Sequence, residues 1–220
     1  MQFVASVPDT RLIPAARESG ADIIELRLDL ADSLAENDAL AALESLDIPL
    51  ILTLRSRDEG GRFSGSPGEW WERLQAFLPY ATYVDIEGRF RALGNAVRDG
   101  KKTIIASYHT PSMPDPSSLA ALLTDLASFG DIPKIVVSPQ SGDDVLSLLS
   151  FTLHAKKPVI TSIMGSRFSF ARMILPLFGS SFLFCHAGHP TAEGQVHVRV
   201  ARDVLGVLAG EDVIATRVDA

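Results

Sequence analysis

Cysteine is nearly missing from this chain. Cys185 stands alone among 220 residues, so no disulfide can form within it, and a reducing compartment is expected. Lysine is scarce too: of 20 basic residues five are lysine and the other fifteen arginine, and the formal net charge is -7. That balance argues against nucleic acid or an anionic membrane as partner, because gripping phosphates requires basic patches. It leaves room for a small anionic substrate held by a few local arginines, whose planar forks suit carboxylates. No apolar run approaches the roughly twenty residues that cross a bilayer. Met1 to Asp9 lack the basic region and long apolar core of a signal peptide, so the expected location is cytoplasmic. There is no internal repeat and no low-complexity segment.

What is present is an alternation of short β-branched runs with longer helical patterns. The composition, 46% hydrophobic and 21% charged, is that of a globular protein, expected here as one domain over 1–220. Strands are predicted at Phe3 to Val7, Asp22 to Asp29, Pro49 to Arg55, Thr82 to Glu87, Thr103 to His109, Asp131 to Pro139, Pro158 to Met164 and Ser181 to Cys185. Helices are predicted between them: Thr10 to Ser19, Leu34 to Leu46, Glu69 to Leu78, a stretch ending near Arg98, Ser117 to Phe129, Gly142 to His154 and Phe170 to Leu177. A last one spans Gln195 to Ala209, and Gly206 to Ala220 is read as including a loose tail. Eight βα units in a chain of this length predict a (β/α)8 barrel, with an open doubly wound sheet as the alternative. No G-x-G-x-x-G or Walker A pattern follows any strand, which removes the best reason to prefer the alternative.

Strands of a parallel barrel are covered on both faces and should be apolar throughout. Several of these are not. In Glu25-Leu26-Arg27-Leu28-Asp29 the charges recur with period two and share a face. Thr53 and Arg55, Asp85 and Glu87, and Ser107 and His109 repeat the pattern at three other strand ends. Any one of them could be a cap or a rim salt bridge. Together they gather at the carboxyl ends of the strands, where barrel enzymes carry their chemistry.

Four of the five lysines sit in doublets, Lys101-Lys102 and Lys156-Lys157, at expected solvated turns. Lys134 is alone among apolar neighbours at the head of its strand. It is either a residue whose stem snorkels to water or a buried amine available as a nucleophile. His109 ends an apolar strand and should face the barrel mouth, with chemistry suited to moving protons near neutrality. Glu59, on a glycine-rich loop running from Asp58 to Gly68, could orient a histidine or be a solvated loop acid. His186 and His189 could suggest a metal pair, but no third ligand is evident nearby, and Cys185 reads as a small core residue.

Six pieces in this order resemble the type I 3-dehydroquinate dehydratase family. They are Glu25 to Asp29; Thr53-Leu54-Arg55 with Glu59-Gly60-Gly61; Ser107-Tyr108-His109; Ile132 to Gln140; Met164-Gly165 with Arg172; and Thr191 to Gln195. The resemblance covers nearly the whole chain. It implies a (β/α)8 barrel that dehydrates 3-dehydroquinate through a lysine Schiff base, without metal or organic cofactor, and a homodimer. Carried over by position, it implies Lys134 as the Schiff-base lysine, His109 as general acid and base, and Glu59 as the acid that orients it. Glu25, Arg27, Arg55, Arg172, Thr191 and Gln195 would hold the substrate, with Ser6 as a further contact. The family's loop after the seventh strand usually reads Met-Gly-x-x-Gly-x-x-Ser-Arg; here Phe168 and Ala171 stand at the second glycine and the serine, and Arg167 competes with Arg172 for the arginine. Thr191 stands where serine is usual, and Glu193 where proline is frequent. A class I aldolase-like barrel would share the lysine, and a non-catalytic barrel would share only the fold.

Overall fold

The computed structural model describes residues 1–31 and 36–210. Its strands are β1 Gln2–Val7, β2 Ile23–Arg27, β3 Leu50–Thr53, β4 Tyr83–Glu87, β5 Thr103–His109, β6 Ile132–Val137, β7 Ile160–Ile163 and β8 Phe182–His186. They form one eight-stranded parallel sheet in which neighbours in sequence are neighbours in space and β8 returns to pair with β1. The predicted barrel is therefore present. Its seam between β7 and β8 is closed differently from the rest. Ser181 N donates to Val159 O at 2.8 Å. The buried Ser180 hydroxyl then accepts from Thr161 N and donates to Thr161 O, each at 3.0 Å. A side chain thus takes the place of a strand's edge.

Period two divides every strand between two faces. Outward residues such as Ala5, Ile24, Leu26, Leu52, Val84, Ile86 and Ile104 pack under the helices with Trp70 and Phe90, whose rings stack at 5.1 Å. Inward residues near the strand starts, Val4, Ile23, Ile51, Ile105, Ile132, Ile160, Phe182 and Phe184 with Tyr83, fill the barrel interior. Burying one such side chain is worth about 1.5–3 kcal/mol. These two apolar layers consequently carry the fold, and the inward positions near the strand ends are released for polar groups.

The helices are α1 Ile13–Glu18, α2 Glu36–Glu44, α3 Pro67–Gln75, α4 Gly94–Asp99, α5 Pro116–Ala127, α6 Gly142–His154, α7 Ala171–Ile174 and α8 Val198–Leu208. The predicted start of the second helix at Leu34, and residues 211–220 of the expected tail, lie outside the described residues. Four boundaries differ from expectation for local reasons. The predicted start at Glu69 is the third residue of α3: Ser66 caps that helix in a reciprocal box with Glu69, and Pro67 opens it. The helix expected before Arg98 is a 3-10 stretch, Gly88–Leu93, running into α4. The one expected over Phe170 to Leu177 is α7 followed by the 3-10 turn Leu175–Phe178, because Pro176 has no N–H to continue the ladder. The last helix starts at Val198 rather than Gln195, since His197 caps it by accepting from Arg199 N.

Replacing Ser180 by alanine leaves the buried Thr161 N–H at the seam without its partner. The expected cost is about 1–3 kcal/mol of unfolding free energy, read by urea denaturation. A loss within error of zero would show that the hydroxyl does not close the ring.

Candidate active site

The inward polar residues meet at the carboxyl end of the barrel, around a cavity of about 300 Å³. Lys134, Glu25, Arg27, Arg55, Glu59, His109, Arg172, Thr191 and Gln195 all line it. Lys134 does not head its strand. It is the third residue of β6, between the inward-facing Ile132 and Val136, and only 4% exposed. Its stem stays inside the barrel, which favours the buried amine over the snorkelling alternative. Nζ donates to Asp85 Oδ2 at 3.0 Å, lies 3.9 Å from Glu25 Oε1, and sits 3.9 Å from the centre of the Phe184 ring.

The remaining charges pair tightly, as burial demands. Arg55 Nη1 reaches Glu59 Oε2 at 3.2 Å, Glu87 Oε1 at 3.0 Å and Ser107 Oγ at 2.9 Å, while Nη2 reaches Asp85 Oδ1 at 2.8 Å. Burial opposes its charge, but the carboxylates of Asp85, Glu87, Glu59 and Glu25 outweigh that and raise its pKa. Arg27 grips Asp29 with two bonds of 2.9 and 2.8 Å. Glu25 accepts from Thr53 Oγ1 at 2.8 Å and from the Ser6 hydroxyl.

His109 ends β5, with Nδ1 2.9 Å from Glu59 Oε2; its backbone N–H donates to the same oxygen at 3.1 Å. Glu59 is not on the flexible loop expected. It closes the 3-10 turn Arg57–Glu59, which ends at Gly60 in the left-handed region, φ 84. The next residue must be glycine for a different reason: a Cβ on Gly61 would lie 2.2 Å from Arg55 O. Burial, and then the cations of Arg55, Lys134, Arg27 and Arg172, hold the imidazole well below its ordinary pKa. Burial pushes Glu59 up to about 8, with Glu87 and Asp85 adding to the effect and Arg55 opposing it. The imidazole is held neutral by burial and by several cations facing a single nearby carboxylate. Glu59 Oε2 already accepts from His109 N and Arg55 Nη1; in the tautomer that adds Nδ1–H as a third donor, Nε2 keeps its lone pair for an incoming proton.

Arg172, from α7, is 4% exposed. Its Nη2 donates to Glu193 O at 3.0 Å, and its buried Nε has no partner. Among the described residues no carboxylate pairs with it, and burial brings its pKa down to about 10. It is a buried cation with a donor left over, and its side chain is among those that line the cavity. Arg167, by contrast, is exposed and lies over the Phe168 ring. Gln195 Oε1 accepts from Thr191 N at 2.8 Å and from Thr191 Oγ1 and Ala192 N at 3.1 Å, which folds the loop after β8 across the mouth. That loop presses on the loop after β7: a Cβ on Gly194, φ 76, would lie 2.5 Å from Gly165 O.

Ser6 is placed behind Glu25 and does not line the cavity; Gln195 Nε2 is 3.5 Å from its hydroxyl. Phe184 lines it and was missed, since an apolar residue in a strand carries no mark of its role; Met164, quoted in a matching piece but given no part, lines it just past β7. Asp85 and Glu87 were noted as a polar strand end but given no part, although their shared parity was the available signal. His186 packs edge-on against His197, ring centres 5.4 Å apart, and no group of three or more metal-ligating side chains occurs among the described residues.

The type I 3-dehydroquinase family model matches residues 8–212. The 3-dehydroquinate dehydratase of Methanoregula boonei is 47% identical over 198 residues, covering 90% of this chain and 95% of that protein. The solved 3-dehydroquinate dehydratase of Aquifex aeolicus VF5 superposes with a TM-score of 0.82 at 28% identity, over 94% of this chain and 98% of that one. A type I enzyme from Clostridium difficile, solved with covalently modified comenic acid, gives 0.81 at 25% identity, over 95% and 92% of the two chains.

The His109 imidazole should titrate below its ordinary range when followed by NMR. Arg172→Gln removes one of the cations that keep it neutral, so its midpoint should move upward. An unchanged midpoint would show that the cavity charges do not reach the ring.

Proposed function

The chain belongs to the type I 3-dehydroquinase family, and from that premise we propose how its residues carry the reaction. The protein is a 3-dehydroquinate dehydratase, a hydro-lyase of the shikimate pathway that converts 3-dehydroquinate to 3-dehydroshikimate and water. In our reading the Lys134 ammonium gives up one proton and adds as the amine to the substrate ketone. The carbonyl oxygen leaves as water to yield a protonated iminium, and hydrolysis of the same C=N bond frees the product at the end. The iminium is the electron sink that makes the adjacent carbon acidic. His109 removes the proton there through Nε2. The enamine then expels the β-hydroxyl, and His109 returns the proton that lets it leave as water. Glu59 fixes the tautomer and supports the imidazolium formed between the two transfers.

The observation that carries this reading is the meeting of Lys134, the His109–Glu59 pair and Arg172, whose Nε has no partner, around one cavity. Arg172 would take the substrate carboxylate with that free N–H. Glu25, Arg27, Arg55, Thr191 and Gln195 would meet the ring hydroxyls with mixed donors and acceptors, and Ser6 would act through Glu25. The comenic acid complex of the Clostridium difficile enzyme shows a covalent adduct in that relative. A cytoplasmic homodimer completes the reading. The single buried Cys185 supports the first part, and family resemblance alone supports the second.

Incubation with 3-dehydroquinate should produce the ultraviolet absorbance of a conjugated enone, and borohydride should fix substrate mass on Lys134. Well-folded protein with no enone signal, or with the adduct on another lysine, would overturn the assignment. His109→Ala should lower kcat by about 10²–10⁴-fold while the Lys134 adduct still forms. Arg172→Gln should cost about 1.5–3 kcal/mol of substrate binding, seen as a roughly ten- to hundredfold fall in kcat/KM.

A further inference from the structure

Asp85 has no part in the reading above, yet it makes the shortest polar contact of the reactive nitrogen. It does not line the cavity, and its side chain is buried. Its two oxygens have separate tasks. Oδ1 accepts from Arg55 Nη2 at 2.8 Å and from Ser107 Oγ at 2.5 Å, so the carboxylate is pinned and cannot turn. Oδ2 is left to Lys134 Nζ at 3.0 Å. Glu25, the other acid nearby, is 3.9 Å away and gives its oxygens to Thr53 and Ser6. Although burial opposes ionisation, Arg55 and Lys134 hold the Asp85 pKa below its ordinary value, with the Ser107 hydrogen bond assisting.

The chemistry at the nitrogen conserves charge. An ammonium and a ketone give an iminium and water: the C=O bonds break, C=N forms, and oxygen leaves with two of the three ammonium hydrogens. The nitrogen keeps one hydrogen and its positive charge. A partner placed for the ammonium is therefore also placed for the iminium. We infer that Asp85 is the fixed counter-ion of the Lys134 nitrogen in its charged states, a positioning residue whose Oδ2 holds the ammonium before condensation and the single N–H of the iminium after it, and still accepts that N–H from the neutral enamine. This rests on the Schiff-base reading. Two consequences follow. With one N–H left, the bond to Oδ2 sets the plane of C=N and so the face of the ring that His109 meets. The buried anion also keeps the iminium protonated, and only the protonated form is an effective electron sink.

Asp85→Asn keeps the size and removes the charge. At saturating 3-dehydroquinate, the fraction of chains carrying borohydride-fixed adduct on Lys134 should fall roughly tenfold or more, as for loss of one partner of a buried charge pair. The loss should deepen as pH rises, because an iminium without its counter-ion gives up its proton at lower pH. A purely structural defect would lower trapping equally at every pH. Ser107→Ala, which loosens Oδ1 and takes one of three acceptors from Arg55 Nη1 while leaving the Asp85 charge in place, should shift the alkaline limb the same way by less, and it decides the matter should Asp85→Asn not fold. Trapping like wild type, with an unshifted limb, in the variants that fold would overturn the inference. Failure of the wild type to form a Lys134 adduct would remove the Schiff-base reading itself, an outcome distinct from a normal wild type beside a normal variant.

Discussion

Arg55 is the charge on which the arrangement of the barrel mouth depends. One guanidinium, buried at the end of β3, bonds to carboxylates from β4 and from the 3-10 turn, and to a hydroxyl from β5. It thereby sets where Asp85, Glu87, Glu59 and Ser107 stand relative to one another, and through Asp85 where Lys134 points. Such a cluster does not stabilise the fold. Removing ions from water costs several kcal/mol each, and their mutual attraction roughly offsets that cost at best. The two apolar layers, one in the barrel interior and one beneath the helices, supply the stability that allows it.

The same crowding of charge shapes the chemistry. Burial, and then the cations around His109, favour its neutral form, the one that can accept a proton. Among the described residues only Arg172 keeps a buried side-chain donor unused. A site with every donor satisfied internally would have little to offer a carboxylate, and the proposed role of Arg172 rests on that difference.

The barrel and most of this site could be read from residue order because both rest on simple periodicities. Alternation in Glu25 to Asp29 means charges on an inward face once the fold is parallel, and the same parity aligned Arg55, Ser107 and His109. Legibility failed where the cause lies between elements. Lys134 looked like a strand's first residue because the proline before it masks a strand that begins at Ile132. Glu59 looked mobile because nothing local shows that Gly61 is pressed onto Arg55 O. Phe184 gives no sign in sequence of lying under an ammonium. Arg172 could be chosen over Arg167 only by spacing, and burial is what separates them. Ser6, matched to a further substrate contact, stands beside Glu25 and within reach of Gln195, outside the residues that line the cavity, and strand order alone does not draw that distinction.

The seam at Ser180 has a bearing on how the molecule opens. Elsewhere adjacent strands are joined by backbone ladders, but β7 and β8 are stitched by one backbone bond and a hydroxyl. From these two strands rise the segment bearing Arg172 and the one bearing Thr191 and Gln195, the two that meet over the cavity. The most thinly bonded meridian of the cylinder therefore runs beneath the two segments that meet over the cavity, while His109, and Lys134 on its β5 side, stand on strands tied by full backbone ladders.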